Sequence, residues 1–397
     1  MTTAPRRVEQ LAYWCLAASL GMTLFNLLTA QVLFGLAAIG WAWIVTAEGR
    51  RPDVPAFFLP LSVYVGFTCL SAALSQDPRT SLLDGKQFVL FLMVPMVMRL
   101  VRGERAMRTL DVIMALGAVG AFLGVVEYTI FGFDSLDRRP TGSLTHYMTY
   151  SGLIMLVLAA AVARLLFYPA QRIWPGIAIP ALAVALTATQ TRNAYLGALA
   201  ALGCLLALRN IRWVLAVPVV VVVFLVLAPA GIRDRAFSMF DLADPSNRDR
   251  LQMLVMGRQM VRDHPWLGVG PEMVGRVYGE YLQPDPVHTY NPHLHNVPVQ
   301  IAAERGLPAL AAWLWFVASA AVGLFAEFRR GPAPALAAAG LGAIAAMLVA
   351  GLFEYNFGDS EFLMLFLALI TLPFAARLEA LADVTRPVRV AAEAAAR

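Results

Sequence analysis

Five histidines, His146, His264, His288, His293 and His295, make up the whole imidazole content of the 397-residue chain. All five fall on the same predicted side of the membrane. The most informative stretch runs from Asn291 to Gly306 and reads NPHLHNVPVQIAAERG. Asn296 has the chemistry of a helix N-cap, and Pro298 is tolerated in a first helical turn, so a helix is predicted to start there. That places His295 at the mouth of a helix, where the partial positive charge of the N-terminus disfavours imidazolium. A neutral imidazole accepts a proton, and His295 is therefore the candidate general base for activating an acceptor hydroxyl. The plainer reading is an interfacial or capping histidine without a chemical duty.

Arginines gather on the same predicted side: Arg138 and Arg139, Arg192, and Arg248, Arg250 and Arg258. They run against the positive-inside bias, so topology does not explain them. A guanidinium fork pairs bidentately with phosphate oxygens and stays charged at any relevant pH, which suits a lipid diphosphate. Each arginine alone could simply snorkel to headgroups. His288, His293 and His295 are close in sequence, but no cysteine or well-spaced carboxylate completes a metal ligand set. No Asp-x-Asp pair offers a divalent-ion site either, so no metal is expected. Gly268-Val-Gly-Pro271 lacks the strand and third glycine of a phosphate loop and is read as a turn.

The elements that must position these residues are membrane helices. The chain is 59% hydrophobic and 14% charged, with mean hydropathy +0.66, too apolar for a soluble domain. Runs of about 20 apolar residues recur. Spans are predicted near 11–28, 30–47, 55–74, 87–101, 107–131, 147–168, 173–190, 194–209, 212–232, 308–328, 333–354 and 361–377. The fold class is thus all-α and polytopic, about twelve spans in a single integral-membrane domain over 1–397. Alternate loops carry the arginines Arg6/Arg7, Arg50/Arg51, Arg99–Arg108, Arg164/Arg172, Arg209/Arg212, Arg329/Arg330 and those of the tail. Both termini are accordingly expected to be cytoplasmic. One outer loop, 232–306, is too long for a turn and contains an amphipathic pattern over Leu251–Val261, expected to lie at the membrane surface. Cys15, Cys69 and Cys204 fall inside spans and suggest packing only. Lys86 is the only lysine, and nothing in the charge balance calls for nucleic acid.

Four segments resemble those of the O-antigen ligase family and its wider superfamily, which includes O-antigen polymerases and protein O-oligosaccharyltransferases. His295-Asn296 followed by nine residues and Gly306 resembles the ligase signature, although Ala309 stands where Gly, Thr or Tyr is usual. Thr191-Arg192-Asn-Ala-Tyr195 is similar to a Ser/Thr-Arg-x-x-Tyr turn. Arg250 through His264-Pro-Trp-Leu-Gly-Val-Gly270 looks like an arginine helix ending in a glycine-rich turn, and Arg139-Pro-Thr-Gly142 with His146 resembles a looser motif. The motifs span about 138–306, and the first four spans match in hydropathy alone.

The resemblance implies transfer of a glycan from undecaprenyl diphosphate to lipid A-core, on the periplasmic face of the bacterial inner membrane, without a metal or cofactor. It makes His295 the base and Arg192 and Arg250 the arginines that hold the diphosphate. Arg248, Arg258, Arg139, Lys86 and Asn296 are added as further substrate contacts. His295, Arg192 and Arg250 are expected to line one cavity. An O-antigen polymerase is the nearest rival, and a longer protein O-oligosaccharyltransferase ranks behind it. A lipid-linked glycan transporter is the rival from another class, with Glu127 among the few ionisable residues inside a span.

Overall fold

The computed structural model describes the backbone of residues 3–49 and 51–395, and side chains for 6–49, 51–85 and 87–378. Arg50 and the side chains of Lys86, Arg386, Arg389 and Arg397 lie outside the described residues. The regular structure of the described backbone is all helical, without a strand. In order come α1 (Thr3–Met22), α2 (Leu27–Glu48), α3 (Phe58–Ala73), α4 (Pro78–Asp84), α5 (Met93–Leu100), α6 (Glu104–Thr129), α7 (Tyr147–Phe167) and α8 (Ile173–Ala188). They are followed by α9 (Arg192–Arg209), α10 (Ala216–Leu227), α11 (Ala230–Phe237), α12 (Pro245–Asp263), α13 (Val274–Val277), α14 (Val297–Arg330), α15 (Pro334–Ala350) and α16 (Ser360–Ala395).

A helical segment lies at each of the twelve predicted spans. Among the described residues, six segments are long and apolar enough to cross a membrane, and four shorter apolar helices accompany them. The fourth predicted span is composite: α4 passes through a 3-10 stretch, Gly85–Leu92, into α5. The alanine- and glycine-rich α15 packs against α7, α9, α14 and α16. Small side chains permit such close approach where lipid supplies no hydrophobic drive between helices. At the rim, α10 buries none of its residues and turns its valines outward.

One end of the bundle is stitched by arginine. Arg99 bonds Glu9 at 3.2 Å, Arg105 bonds Glu9 at 2.9 Å and Arg102 bonds Asp53 at 3.1 Å; Arg99 also bonds Glu48. Buried Arg164 in the last turn of α7 reaches Asp111 and Gln171. The opposite end of α7, roughly 30 Å away, begins at His146.

Two predicted boundaries move. The long loop does not run unbroken to 306, because α14 already starts at Val297 and is interrupted at Gly306 (φ 82°, ψ 170°) ahead of Pro308. The predicted amphipathic helix is present as α12, but Met253, Met256 and Met260 pack on Leu294, Ala303 and Val274 in a small second core. That apolar face is covered by protein, while Leu251, Leu254 and Val255 point outward.

The glycine-rich turn closes the break in α14. Val269 N donates to Ala303 O at 2.8 Å, Gly270 N to Glu304 O at 2.9 Å, and Leu307 N to Pro265 O at 2.8 Å. Carbonyls freed by the interruption thus find partners. Gly306 occupies a backbone region open essentially to glycine alone, and a Cβ there would sit 2.1 Å from Trp266 O. Gly306→Ala is expected to lower unfolding free energy by about 2–5 kcal/mol through strain plus overpacking, read by SDS-titration unfolding. Wild-type stability in that variant would refute the docking role of the turn.

Candidate active site

His295 is held from several directions. Asn296 caps α14, accepting from Val299 N at 3.0 Å, and its amide nitrogen donates to Leu352 O at 2.9 Å. Val297 N donates to Gly351 O at 2.7 Å, so the start of α14 is tied to the loop between α15 and α16. The backbone at His295 is left-handed (φ 47°), which swings its ring toward that loop. There Nδ1 lies 2.9 Å from Glu354 Oε2, and Nε2 lies 3.3 Å from the amide nitrogen of Asn291. His293 Nε2 approaches the other Glu354 oxygen at 3.4 Å.

These partners assign the tautomer. Nδ1–H donates to the carboxylate, and Nε2, facing an amide donor, carries the lone pair. Burial alone would raise the Glu354 carboxyl, but hydrogen bonds from His293 and His295 hold it well below the usual carboxylate range. Glu354 is therefore an anion that orients the His295 ring. The expectation that a helix terminus governs the imidazole is corrected: a buried carboxylate against Nδ1 is its dominant neighbour. Sequence reading placed Glu354 inside the eleventh span, whereas α15 ends at Ala350 and Glu354 sits in the loop beyond it.

His295 and Glu354 line a cavity of about 410 Å³, together with His146, Asn193, Glu272, Glu304, Arg305 and Asn356. Buried Arg305 bonds Asp84 at 3.2 Å and also Glu304. Burial, ahead of any charge, lowers His146 from its ordinary value.

Beside the cavity stands a group of arginines. Arg192, the first residue of α9, donates to Ser238 Oγ at 2.9 Å and Asp244 Oδ1 at 3.2 Å. Arg235, which sequence reading missed, shares the same carboxylate at 3.4 Å. Asp244 also caps α12, accepting from Ser246 N at 3.1 Å. Arg250 donates to Ser246 Oγ at 3.0 Å and to Phe353 O, next to Glu354, at 3.0 Å. Burial first, then the charges of Arg192 and Arg139, depresses the Arg235 guanidinium. Arg250 is depressed chiefly by burial and further by Arg192, with Glu354 opposing. Arg139 lies over the Tyr147 ring at 4.2 Å.

The motif residues explain this placement. Tyr195 closes back on Thr187 O and fixes the turn that presents Arg192. Glu127, weighed as a transport residue, accepts from Thr141 N and Gly142 N, each at 2.8 Å, and shapes the turn after Arg139.

The expectation of one cavity shared by His295, Arg192 and Arg250 is corrected: His295 lines it, while Arg192 and Arg250 stand alongside, Arg250 bordering Glu354. Arg248 pairs with Asp285 at 2.7 Å on the surface, and Arg258 projects outward from α12. Asn296 uses both ends of its amide on the fold. His293, His295 and Glu354 bring potential ligand atoms within 4.8 Å of one another and could hold a metal ion. The carboxylate that the sequence did not supply near the histidines comes from 59 residues downstream. An ion there would take Nδ1 and leave the ring proton on Nε2, with no lone pair left on that ring to accept a proton.

Residues 177–314 match the family model described as O-antigen ligase. That match supports membership in the O-antigen ligase/polymerase superfamily. The chain carries Arg192, Arg250 and His295 inside the matched segment, and Glu354, His146 and Asp84 outside it. No curated protein matches the chain. The matched family is that of membrane-embedded, lipid-linked O-antigen glycosyltransferases, and six described helical segments of this chain are long and apolar enough to cross a membrane.

Proposed function

We propose that this protein is an O-antigen ligase that transfers glycan from undecaprenyl diphosphate to lipid A-core in one inverting displacement. The observation that carries this reading is the His295–Glu354 pair, with Nε2 available as base, bordered by Arg250 and its neighbouring arginines. His295 takes the proton from the acceptor hydroxyl, whose oxygen bonds the anomeric carbon as the diphosphate leaves from the opposite face. Arg192, Arg250 and Arg235 offset the charge growing on that leaving group, where low dielectric strengthens such contacts. Arg139, Arg248, Arg258 and Lys86 are retained as outlying contacts, and Asn296 as a residue that fixes the start of α14. No metal takes part in the proposed step, because protonation balance and charge neutralisation are both supplied by side chains.

The proposed topology has twelve crossings, cytoplasmic termini and segment 232–306 outside, so that the cavity faces the periplasm across the bacterial inner membrane. Support comes from the arginine-stitched end of the bundle lying opposite His146, as the positive-inside bias requires. In a purified reaction with undecaprenyl-diphosphate glycan, lipid A-core and a metal chelator, we expect glycosylated core of inverted anomeric configuration by mass spectrometry and NMR. Chain growth from donor alone would favour a polymerase. Movement of donor across liposomes without product would favour a transporter, and dependence on added metal would sink the metal-free step.

A further inference from the structure

Asn356 lies in the loop between α15 and α16 and lines the same cavity as His295. It is only 7% exposed, yet neither its amide nitrogen nor its amide oxygen has a hydrogen-bond partner among the described residues. A buried polar group left unpaired costs about 1–3 kcal/mol, and native structures rarely tolerate one without a reason. An amide with two donors and a two-lone-pair acceptor is the natural complement of adjacent hydroxyls, each of which donates and accepts.

The surrounding turn is braced. Gln87 donates to Gly358 O at 3.0 Å. Asp359 takes the Thr149 hydroxyl at 2.5 Å on one oxygen and caps α16 with the other, accepting from Glu361 N at 3.1 Å. Asn356 is thus presented from a turn whose following residues, Gly358 and Asp359, are held in place, as a recognition group requires. Among the described side chains, the cavity lining carries the carboxyls of Asp84, Glu272, Glu304, Glu354 and Asp359 against the single guanidinium of Arg305. An added anion would meet net negative charge there, whereas an uncharged polyol would meet acceptors. A space of about 410 Å³ falls within the usual range for small-molecule sites, about 300–1,000 Å³.

We propose that Asn356 is the recognition group of an acceptor subsite that takes an uncharged, hydroxyl-rich sugar and rejects a phosphorylated or carboxylated one. The anionic donor headgroup is met by the arginines alongside, so donor and acceptor are separated by charge. This rests on the transferase reading above.

The test uses full-length protein in nanodiscs with undecaprenyl-diphosphate glycan as donor. Two acceptors are compared: a lipid A-core glycolipid ending in an unsubstituted hexose, and the same glycolipid phosphorylated on that hexose. Asn356→Ala and the isosteric Asn356→Asp are expected to raise acceptor KM about ten-fold or more, the equivalent of one or two hydrogen bonds. Donor KM should stay unchanged and the thermal midpoint of Asn356→Ala should not fall, because the amide supports no protein contact and its unpaired burial is itself a cost; loss of a purely structural asparagine would instead lower the midpoint. The phosphorylated acceptor should be used at least about 100-fold less efficiently, a loss typical of a mismatched polar site. Unchanged acceptor KM in both variants, or equal use of both acceptors, would overturn the proposal. Equilibrium binding of each acceptor without donor separates the two readings. Asn356-dependent binding of the uncharged acceptor without turnover would preserve the subsite and sink the transferase, and failure of the wild type to bind it would sink the subsite.

Discussion

Replacing His295 with alanine is expected to reduce transfer by about 10²–10⁴-fold, the usual worth of a positioned general base, while donor and acceptor binding persist. The loss should appear in kcat, since the imidazole moves a proton only as the new bond forms. Alanine also strains the left-handed backbone at this position (φ 47°), which asparagine tolerates better. His295→Asn therefore serves as the companion variant, and both should be inactive if the base is what matters. Glu354→Gln offers a second reading of the same pair. It keeps a side chain of the same shape beside Nδ1 but removes the charge that fixes the tautomer, so kcat should fall while substrate KM values hold. Near-normal turnover in the His295 variants, with protein levels and membrane insertion intact, would remove this residue from the mechanism.

Arg250→Lys is expected to lower kcat by about 10²–10³-fold, comparable with deleting one preorganised donor to a developing anion. Lysine keeps the charge but not the planar fork. In this protein the fork is aimed by Phe353 O and Ser246 Oγ, each at 3.0 Å, which an ammonium group cannot satisfy while also reaching a diphosphate. Arg250 is the cleaner probe than Arg192. Arg192 shares Asp244 with Arg235, and its removal leaves a partly uncompensated buried carboxylate, so Arg192→Ala should lose stability along with activity. Retention of wild-type kcat and donor KM by Arg250→Lys would show that a point charge suffices and that the fork plays no part.

Much of this was legible in the order of residues. Hydropathy located every apolar helix, and the Asn296–Pro298 pair announced the start of α14. His295, Arg192 and Arg250 stood out because their types ran against what topology alone demands. Glu354 escaped because it ends an apolar run and lies 59 residues from the histidine it touches; local periodicity carries no information about such a meeting. Arg235 escaped for a similar reason, its role depending on Asp244, which reads in isolation as an ordinary helix cap. Asn356 carries no motif, and its interest arises from partners it lacks, a property visible only once neighbours are placed. Neither the break at Gly306, two residues before Pro308, nor the docking of the 264–271 turn into it was read from the sequence.

The cavity draws on residues from the 84–87 corner, the head of α7, the head of α9, the 292–305 segment and the 350–362 connection. An excised fragment limited to 177–314 would hold His295 but neither its orienting carboxylate nor Asn356. Minimal-domain strategies, useful for many modular enzymes, should therefore fail with this protein, whereas complementation by two co-expressed halves divided between α10 and α11 would keep each wall of the site on an intact helical block.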